Sequence, residues 1–188
     1  MTNIRIAGGR QKGRKLHSTS AIGFRPTMER VRSAIYSMIG IGAIEGARVL
    51  DLYAGIGSFG IEALSRGALQ ADFVEVNSLR CKDIRTSLSE IGLSESGRVS
   101  QGRVEKILTT MNTTYDLIFM DPPYNFNLWD QLMGLIIKSG VLKDTCTVIA
   151  EHMYKQPLED DYGKLEKSHF RRYGDTSISI YTVRESDG

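Results

Sequence analysis

Short apolar runs alternate with stretches of helical apolar spacing along most of the chain. Val49, Leu50 and Leu52 form a run typical of a buried strand, and Ile61 and Leu64 then lie on one face of a predicted helix. Because this alternation continues to residue 151, we expect an α/β fold with a mostly parallel sheet. The pattern predicts further strands at 71–77, 98–101, 115–120 and 145–151 and helices at 79–91, 104–111 and 128–139.

The carboxyl-terminal part of the chain is predicted to form a hairpin. Residues 164–173 and 176–183 both have the composition of strands, and only Gly174 and Asp175 separate them. A connection of two residues requires antiparallel pairing. The sheet is therefore expected to carry an antiparallel strand at one edge.

The amino-terminal segment is predicted to form a short hairpin and a helix. Ile4 and Ile6 alternate with polar residues, Gly8-Gly9 interrupts the alternation, and a basic run follows that ends at Leu16. Thr27 is a good N-cap for a helix that Gly40 would end. We expect residues 1–42 to form an appendage on a main domain of residues 43–188. The apolar face of the predicted helix consists of Met28, Val31, Ile35, Met38 and Ile39.

Composition indicates an ordinary globular protein. The 188 residues are 41% apolar and 24% charged, which suits one main domain. Cys81 and Cys146 lie far apart in apolar segments, so we expect reduced, buried thiols, and the three histidines show no spacing typical of a metal site. No apolar run reaches membrane-spanning length and no signal peptide is recognisable, so a cytoplasmic protein without membrane contact is expected.

Positive charge is concentrated at the amino terminus. Residues 1–32 hold eight Lys or Arg and one acid, whereas the remainder has more acidic than basic residues. Such a segment suits contact with a nucleic-acid backbone, since each neutralised phosphate releases counterions. A solvated basic tail is the alternative. The candidate RNA-binding residues are Arg10, Lys12, Arg14, Lys15, Arg25, Arg30 and Arg32.

A glycine-rich turn follows the predicted strand at residues 49–52. Gly55, Gly57 and Gly60 allow a tight backbone turn close to a ligand, at the sheet edge where α/β proteins bind small molecules. The spacing also fits a dinucleotide site, with Glu75 as the ribose-binding acid. However, Asp51 would repel a pyrophosphate and attract the ammonium and sulfonium of S-adenosylmethionine. Asp51 therefore favours S-adenosylmethionine as the cofactor over NAD. A purely structural turn with a solvated Asp51 is the third possibility.

A second chemical signal is the tetrapeptide Asp121-Pro122-Pro123-Tyr124, which follows the predicted strand at 115–120. The prolines fix an extended turn, so the Asp121 carboxylate and the Pro122 carbonyl can be held as two acceptors. An exocyclic amino group on a base offers two matching donors, and Tyr124 offers a stacking surface. The sequence therefore predicts a site for an aromatic amine that faces the glycine-rich turn. Alternatively, the tetrapeptide only ends the strand.

The motifs together resemble a known family. The glycine-rich turn with Asp-Pro-Pro-Tyr is similar to class I S-adenosylmethionine-dependent methyltransferases of amino groups. The segments RIAGGRQKGRKL, RPTMERVRSAIYSMIG, FVEVN and RRYGDTSISIY resemble more specifically the RsmD family, which methylates the N2 amino group of a guanine in bacterial 16S ribosomal RNA. The resemblance covers nearly the whole chain and implies a Rossmann-like sheet of seven strands with an antiparallel last strand.

The resemblance also implies roles for individual residues. Asp51, with Tyr53, Gly55, Gly57 and Gly60 of the turn, would surround the methionine part of the cofactor. Glu75 would bind the ribose and Val76 would pack on the adenine. Arg103 would lie near the adenine amino group, where the wider superfamily usually carries an acid or an amide. Asp121, Pro122 and Tyr124 would form the catalytic site, without a metal ion.

The implied partner is 16S ribosomal RNA, within a small ribosomal subunit or an assembly intermediate, bound by a monomeric enzyme. Three other functions remain open. A DNA adenine-N6 or other amino-group methyltransferase could share the Asp-Pro-Pro-Tyr site. An NAD-dependent oxidoreductase could share the glycine spacing, and a non-catalytic RNA-binding protein could share the fold.

Overall fold

The computed structural model describes residues 4–19 and 26–184, with side chains from residue 29 onward in the second range. Arg25 lies outside the described residues, as do the side chains of Thr27 and Met28. The strands of the sheet are β1 (Arg48–Leu52), β2 (Gln70–Glu75), β3 (Gly97–Gln101), β4 (Tyr115–Met120), β5 (Leu142–Met153), β6 (Leu165–Tyr173) and β7 (Thr176–Val183). The α-helices are α1 (Pro26–Ile39), α2 (Ser58–Ser65), α3 (Ser78–Glu90), α4 (Val104–Leu108) and α5 (Trp129–Lys138).

The strands form one mixed sheet in the order β3-β2-β1-β4-β5-β7-β6. Strands β1 to β5 run parallel, and β7 pairs antiparallel with both β5 and β6. The predicted α/β fold and the antiparallel edge are confirmed. Since the parallel strands share one direction, the loops after β1, β2 and β4 meet at one edge of the sheet.

Two apolar layers cover the sheet. Helices α1, α2 and α3 pack on one face, and α4 and α5 pack on the other. The central strands β1 and β4 are buried on both faces, which explains their continuous apolar runs. Cys81 and Cys146 are free thiols in this buried interior, as predicted. No helix in the described ranges is long and apolar enough to cross a membrane.

The amino-terminal segment folds as the predicted short hairpin. Arg5 pairs with Lys15 in an isolated antiparallel bridge, and Ile6 exchanges backbone hydrogen bonds with the facing strand. Ile4, Ile6 and Leu16 are buried in the same apolar layer as α1 and α2. The residues before position 42 therefore share one hydrophobic core with the main sheet.

Two predicted element bounds differ from the structure by three residues, for identifiable reasons. Helix α4 ends at Leu108 instead of residue 111, because the hydroxyls of Thr109 and Thr110 donate to the last helical carbonyls. Strand β5 begins at Leu142 instead of residue 145, since a register shift lets the strand pair with Tyr115 before its regular ladder starts.

Candidate active site

The loops after β1, β2 and β4 open on one cleft of about 1160 Å³. Its lining includes Tyr53 from the glycine-rich turn, Glu75 and Val76 from the end of β2, and Asp121 and Tyr124 from the loop after β4. The structure therefore brings residues of both predicted chemical signals to one cleft. Most of the cleft lining is apolar, and polar groups such as Glu75 and Asp121 lie at the carboxyl ends of the strands.

Asp51 holds the glycine-rich turn from beneath. Its carboxylate is 1% exposed, and its Oδ2 accepts a hydrogen bond of 2.9 Å from the Gly60 amide. Gly60 must be a glycine for packing, because a Cβ there would lie 2.4 Å from the Phe73 ring. Gly57 has φ of 74°, which favours glycine at the start of α2. Asp51 therefore supports the turn and lies below the surface of the cleft.

Tyr53 and Gly55 shape the part of the turn that faces the cleft. Tyr53 has φ of 58°, an unusual backbone conformation for a residue with a side chain. Its hydroxyl lies 3.4 Å from the Glu105 carboxylate, and its ring contacts Phe126. Gly55 has φ of 58°, and a Cβ there would meet nothing within 4 Å. The protein itself leaves open space next to Gly55.

Glu75 links the turn to the loop after β2. Its two carboxylate oxygens accept hydrogen bonds of 2.8 Å from the Gly55 and Asn77 amides. Asn77 in turn caps α3 by accepting from the Leu79 and Arg80 amides. Because each carboxylate oxygen has two lone pairs, Glu75 keeps acceptor capacity for hydroxyl groups in the cleft. The neighbouring Val76 is 63% exposed and presents an apolar surface to the same space.

The Asp-Pro-Pro-Tyr segment presents two acceptors that the described residues leave free. No described residue donates a hydrogen bond to the Asp121 carboxylate or to the Pro122 carbonyl. Pro123 accepts from the Phe126 amide at 2.8 Å, which closes the loop and fixes its path. Tyr124 is 61% exposed beside these acceptors, so its ring is available for stacking. This geometry suits an amino group on a planar base.

Three carboxylates near the cleft interact electrostatically. Burial raises the pKa of Asp51 well above its usual range, and the charges of Asp121 and Glu75 raise it further, against the Gly60 hydrogen bond. Burial raises the pKa of Asp121 to about 7. Burial is the main cause of both shifts, and neighbouring carboxylates add to the shift of Asp51. A cationic ligand would relieve this repulsion, and a pyrophosphate would increase it.

A second, small cavity of about 50 Å³ adjoins Asp121 and Tyr124. Glu151 at the end of β5 lines it, together with Trp129 and His152. The sequence analysis missed Glu151, because it was assigned only as the last residue of a strand. A signal was available: Glu151 lies near the carboxyl end of its predicted strand and Asp121 follows the preceding predicted strand, so a parallel sheet puts both acids at one edge.

Arg103 lies exposed at the start of α4 and lines the large cleft. The basic residues predicted to contact RNA differ in their exposure and in their hydrogen bonds. Arg10, Lys12, Lys15 and Arg30 are exposed, whereas Arg14 donates to the Glu90 carbonyl at the end of α3.

The prediction that Arg32 contacts RNA requires correction. Arg32 is only 7% exposed, and its Nε lies 2.8 Å from the buried Glu62 carboxylate. Its Nη2 donates to the Arg5 carbonyl. Arg32 therefore fastens α1 to α2 and to the hairpin, and it offers no free charge to a phosphate.

The family assignment follows from comparison with known proteins. The model of the family described as conserved hypothetical protein 95, which corresponds to the RsmD family, matches residues 4–182. The chain belongs to this family. A further RsmD-family match is "Ribosomal RNA small subunit methyltransferase D" of Escherichia coli, 32% identical over 148 residues, which are 79% of this chain and 74% of the relative. Another is "Putative rRNA methyltransferase YlbH" of Bacillus subtilis, 33% identical over 184 residues, with 96% of this chain and 100% of the relative covered.

Solved structures agree with the RsmD-family assignment. The structure titled "Putative methyltransferase yhhF from Escherichia coli" superposes with a TM-score of 0.85 at 27% identity and covers 97% of this chain and 99% of that one. The protein is thus a class I, S-adenosylmethionine-dependent methyltransferase by fold and family.

The residues of the large cleft fit this cofactor. Glu75 offers acceptors suited to ribose hydroxyls, Val76 offers an apolar surface suited to adenine, and the space beside Gly55 is open. The carboxylates of Asp51, Glu75 and Asp121 match an ammonium and a sulfonium, and Arg80 and Arg103 line the same cleft. Among the described residues, no group of three or more His, Cys, Asp or Glu is arranged to hold a metal ion.

Proposed function

We propose that this RsmD-family enzyme methylates the exocyclic N2 of a guanine in 16S ribosomal RNA. The observation that carries the proposal is a pair of acceptors, the Asp121 carboxylate and the Pro122 carbonyl, which receive no hydrogen bond from the described residues and lie beside the exposed Tyr124 ring. Relatives over most of the chain are named as methyltransferases of small-subunit ribosomal RNA, which supports the substrate class.

The proposed cofactor contacts use the large cleft. Glu75 accepts hydrogen bonds from the ribose, Val76 packs on the adenine, and the turn at Tyr53, Gly55 and Gly57 surrounds the methionine part. Asp51 and Gly60 act beneath the turn by fixing its backbone. When bound, S-adenosylmethionine supplies a methyl group activated by its sulfonium charge.

The proposed chemistry depends on how the protein holds the amine. The N2 lone pair of guanine is delocalised into the ring, so N2 is a poor nucleophile. Asp121 and the Pro122 carbonyl accept its two N–H groups, favour a pyramidal nitrogen and stabilise the positive charge that develops there. Tyr124 stacks on the base and limits its motion, which contributes through proximity. One N2 proton leaves to Asp121 or to water as the methyl group is transferred.

The proposed RNA contact uses the exposed basic residues of the amino-terminal segment. Arg10, Lys12 and Lys15 lie on the hairpin, and Arg30 lies on α1. Because phosphate contacts position a substrate without reading its sequence, these residues would orient the RNA while the pocket reads the base. The target nucleotide must leave its stack to reach the pocket. We propose that the enzyme acts as a monomer on the small subunit or on an assembly intermediate.

One experiment tests this function. The protein is incubated with labelled S-adenosylmethionine and small ribosomal subunits that lack the modification, and the labelled nucleoside and its position are then identified. We expect N2-methylguanosine at a single position in 16S RNA. Label in duplex DNA, or in the N6 of adenosine, would favour the alternative amino-group substrates and would overturn the proposal.

The variant Asp121→Asn tests the role of the Asp121 carboxylate. The matched control is Asp130→Asn at the exposed start of α5. We expect Asp121→Asn to lower kcat by about 10²-fold to 10³-fold, since an amide cannot provide the same charge stabilisation. Binding of S-adenosylhomocysteine should change little, as measured by calorimetry. Unchanged turnover in Asp121→Asn would remove its assigned role.

A further inference from the structure

Glu151 stands beside Asp121, and the reaction described above gives it no role. In the parallel pair β4–β5, Met120 lies opposite Ala150, so the next residues, Asp121 and Glu151, come side by side. Matching positions in neighbouring parallel strands point to the same face of the sheet. Both side chains line the small cavity next to Pro122 and Tyr124. Glu151 is therefore within reach of a base that Tyr124 stacks on.

Glu151 lacks a hydrogen-bond partner within the described part of the chain. No described residue donates to its carboxylate or to that of Asp121. Burial and the charge of Asp121 raise the pKa of Glu151 well above its usual range, and the positive charge of Arg32 opposes them only in part. Two adjacent carboxyl groups that receive no hydrogen bond from the described residues repel each other when both are ionised, which is costly. A ligand that brings N–H donors to both would remove this cost.

Guanine brings donors in this arrangement. Its Watson–Crick edge carries the N1–H donor directly beside the N2 amino group. Adenine and cytosine carry their amino group beside a ring nitrogen that accepts hydrogen bonds. Two adjacent carboxylates therefore match guanine, and one of them would face a lone pair in the other two bases.

We propose that Glu151 accepts the N1–H of the target guanine while Asp121 and the Pro122 carbonyl hold its N2 amine, so that Glu151 determines specificity for guanine. This inference rests on the proposed function and names the group that would select its substrate. Glu151 stabilises the correct base through a charge-assisted hydrogen bond. With the cationic cofactor favouring its ionised form, Glu151 rejects bases that carry a ring-nitrogen acceptor by placing two lone pairs against each other.

The base analogue 2-aminopurine isolates the N1–H contact. It keeps the amino group at C2, but its N1 is an acceptor without hydrogen. Small subunits are reconstituted around 16S RNA in which the position methylated in the mapping experiment holds guanine or, by splinted ligation, 2-aminopurine. For the wild-type enzyme we expect kcat/KM to be about 10²-fold or more higher with guanine, since the analogue leaves a poorly solvated acceptor facing an acceptor.

The variant Glu151→Gln supplies the second measurement. A carboxamide can turn its oxygen to the N1–H of guanine or its NH₂ to the N1 acceptor of 2-aminopurine. The preference for guanine should therefore fall at least tenfold in Glu151→Gln. The exposed Glu45→Gln at the opposite edge of the sheet is the matched control and should keep the wild-type preference. Glu151→Gln removes a poorly solvated carboxyl without a hydrogen-bond donor, so its thermal unfolding temperature should not decrease.

The outcomes separate this inference from the proposed function. Absence of N2-methylguanosine in the mapping experiment would overturn the proposed function and with it this inference. If N2 is methylated but the wild-type enzyme uses guanine and 2-aminopurine within threefold of each other, only the role of Glu151 is overturned. An unchanged preference in folded Glu151→Gln would also overturn it, and an unfolded variant would leave the wild-type comparison to decide.

Discussion

At the scale of single residues, burial decides which charged side chains are available to contact a ligand and which stabilise the fold. Asp51 and Asp121 were both predicted to contact ligands, yet Asp51 lies beneath the turn and bonds to Gly60, whereas Asp121 faces the cleft. Arg32 was predicted to contact RNA and is instead paired with Glu62. Sequence reasoning identified these side chains as candidates, but their exposure depends on packing between distant elements and could not be predicted from the local pattern.

The raised pKa of Asp121 predicts a pH dependence. With a pKa of about 7 in the free enzyme, Asp121 is protonated below that pH and loses its acceptor charge, so kcat/KM for the cofactor should fall as the pH decreases through about 7. A bound cation favours the ionised form and lowers this pKa. In the pH profile of kcat/KM for RNA, measured at saturating cofactor, the acidic limb should therefore lie at lower pH. Initial rates between pH 5.5 and 8.5 check this, and profiles that are flat through pH 7 would contradict it.

At the scale of elements, the hydrophobic pattern predicted the order and type of the strands and helices well. The errors occurred where side chains compete with the backbone, as at Thr109 and Thr110 after α4, or where the register shifts, as in β5. Glu151 was missed for a related reason, since neighbouring strands meet only in the folded sheet. The glycines of the turn were recognised from the sequence. Only the structure shows why each position holds glycine: the space next to Gly55 is open, whereas a Cβ at Gly60 would contact Phe73.

Two helical glycines should respond oppositely to alanine. In Gly60→Ala of α2 the new Cβ would lie 2.4 Å from the Phe73 ring, so we expect the free energy of unfolding to fall by about 1–3 kcal/mol and the cofactor affinity to decrease. At Gly134 of α5 an added Cβ would meet no atom within 4 Å, so Gly134→Ala should increase the free energy of unfolding by about 0.5–1 kcal/mol. Denaturant titration measures both, and equal effects would contradict the packing argument.

At the scale of the whole molecule, the basic hairpin is built into the same body as the cleft. Glu62 of α2 is fully buried and accepts hydrogen bonds from Arg32, from Arg66 and from the Ala7 amide. Ser65 adds contacts with the Gly8 carbonyl and the Gln11 amide. The charge asymmetry was readable from the sequence, but this attachment depends on side chains that looked like ordinary helix surface.

The exposed charges of the hairpin predict salt-sensitive RNA binding. Lys12 and Lys15 are exposed, and neither has an ion-pair partner in the described ranges. If both contact phosphate, Lys12→Ala/Lys15→Ala should reduce the slope of log Kd against log salt by about 1–2, in proportion to the counterions released. The double variant of the exposed Lys138 and Lys164 is the control and should keep the wild-type slope. Filter binding of small-subunit RNA over a salt series makes the comparison, and equal slopes would exclude these contacts.

The buried Glu62 carboxylate also constrains how such enzymes can be re-engineered or recombined. Its hydrogen-bond donors come from both sides of residue 42, because Ala7 and Arg32 belong to the first segment and Arg66 to the second. A chimera that replaced residues 1–42 with the RNA-binding segment of an unrelated enzyme would remove the Ala7 and Arg32 donors and leave the buried Glu62 paired with Arg66 alone. Transplanting the segment therefore requires Glu62 to change with it, so new substrates are more readily reached by altering the exposed tip of the hairpin than by exchanging the whole segment.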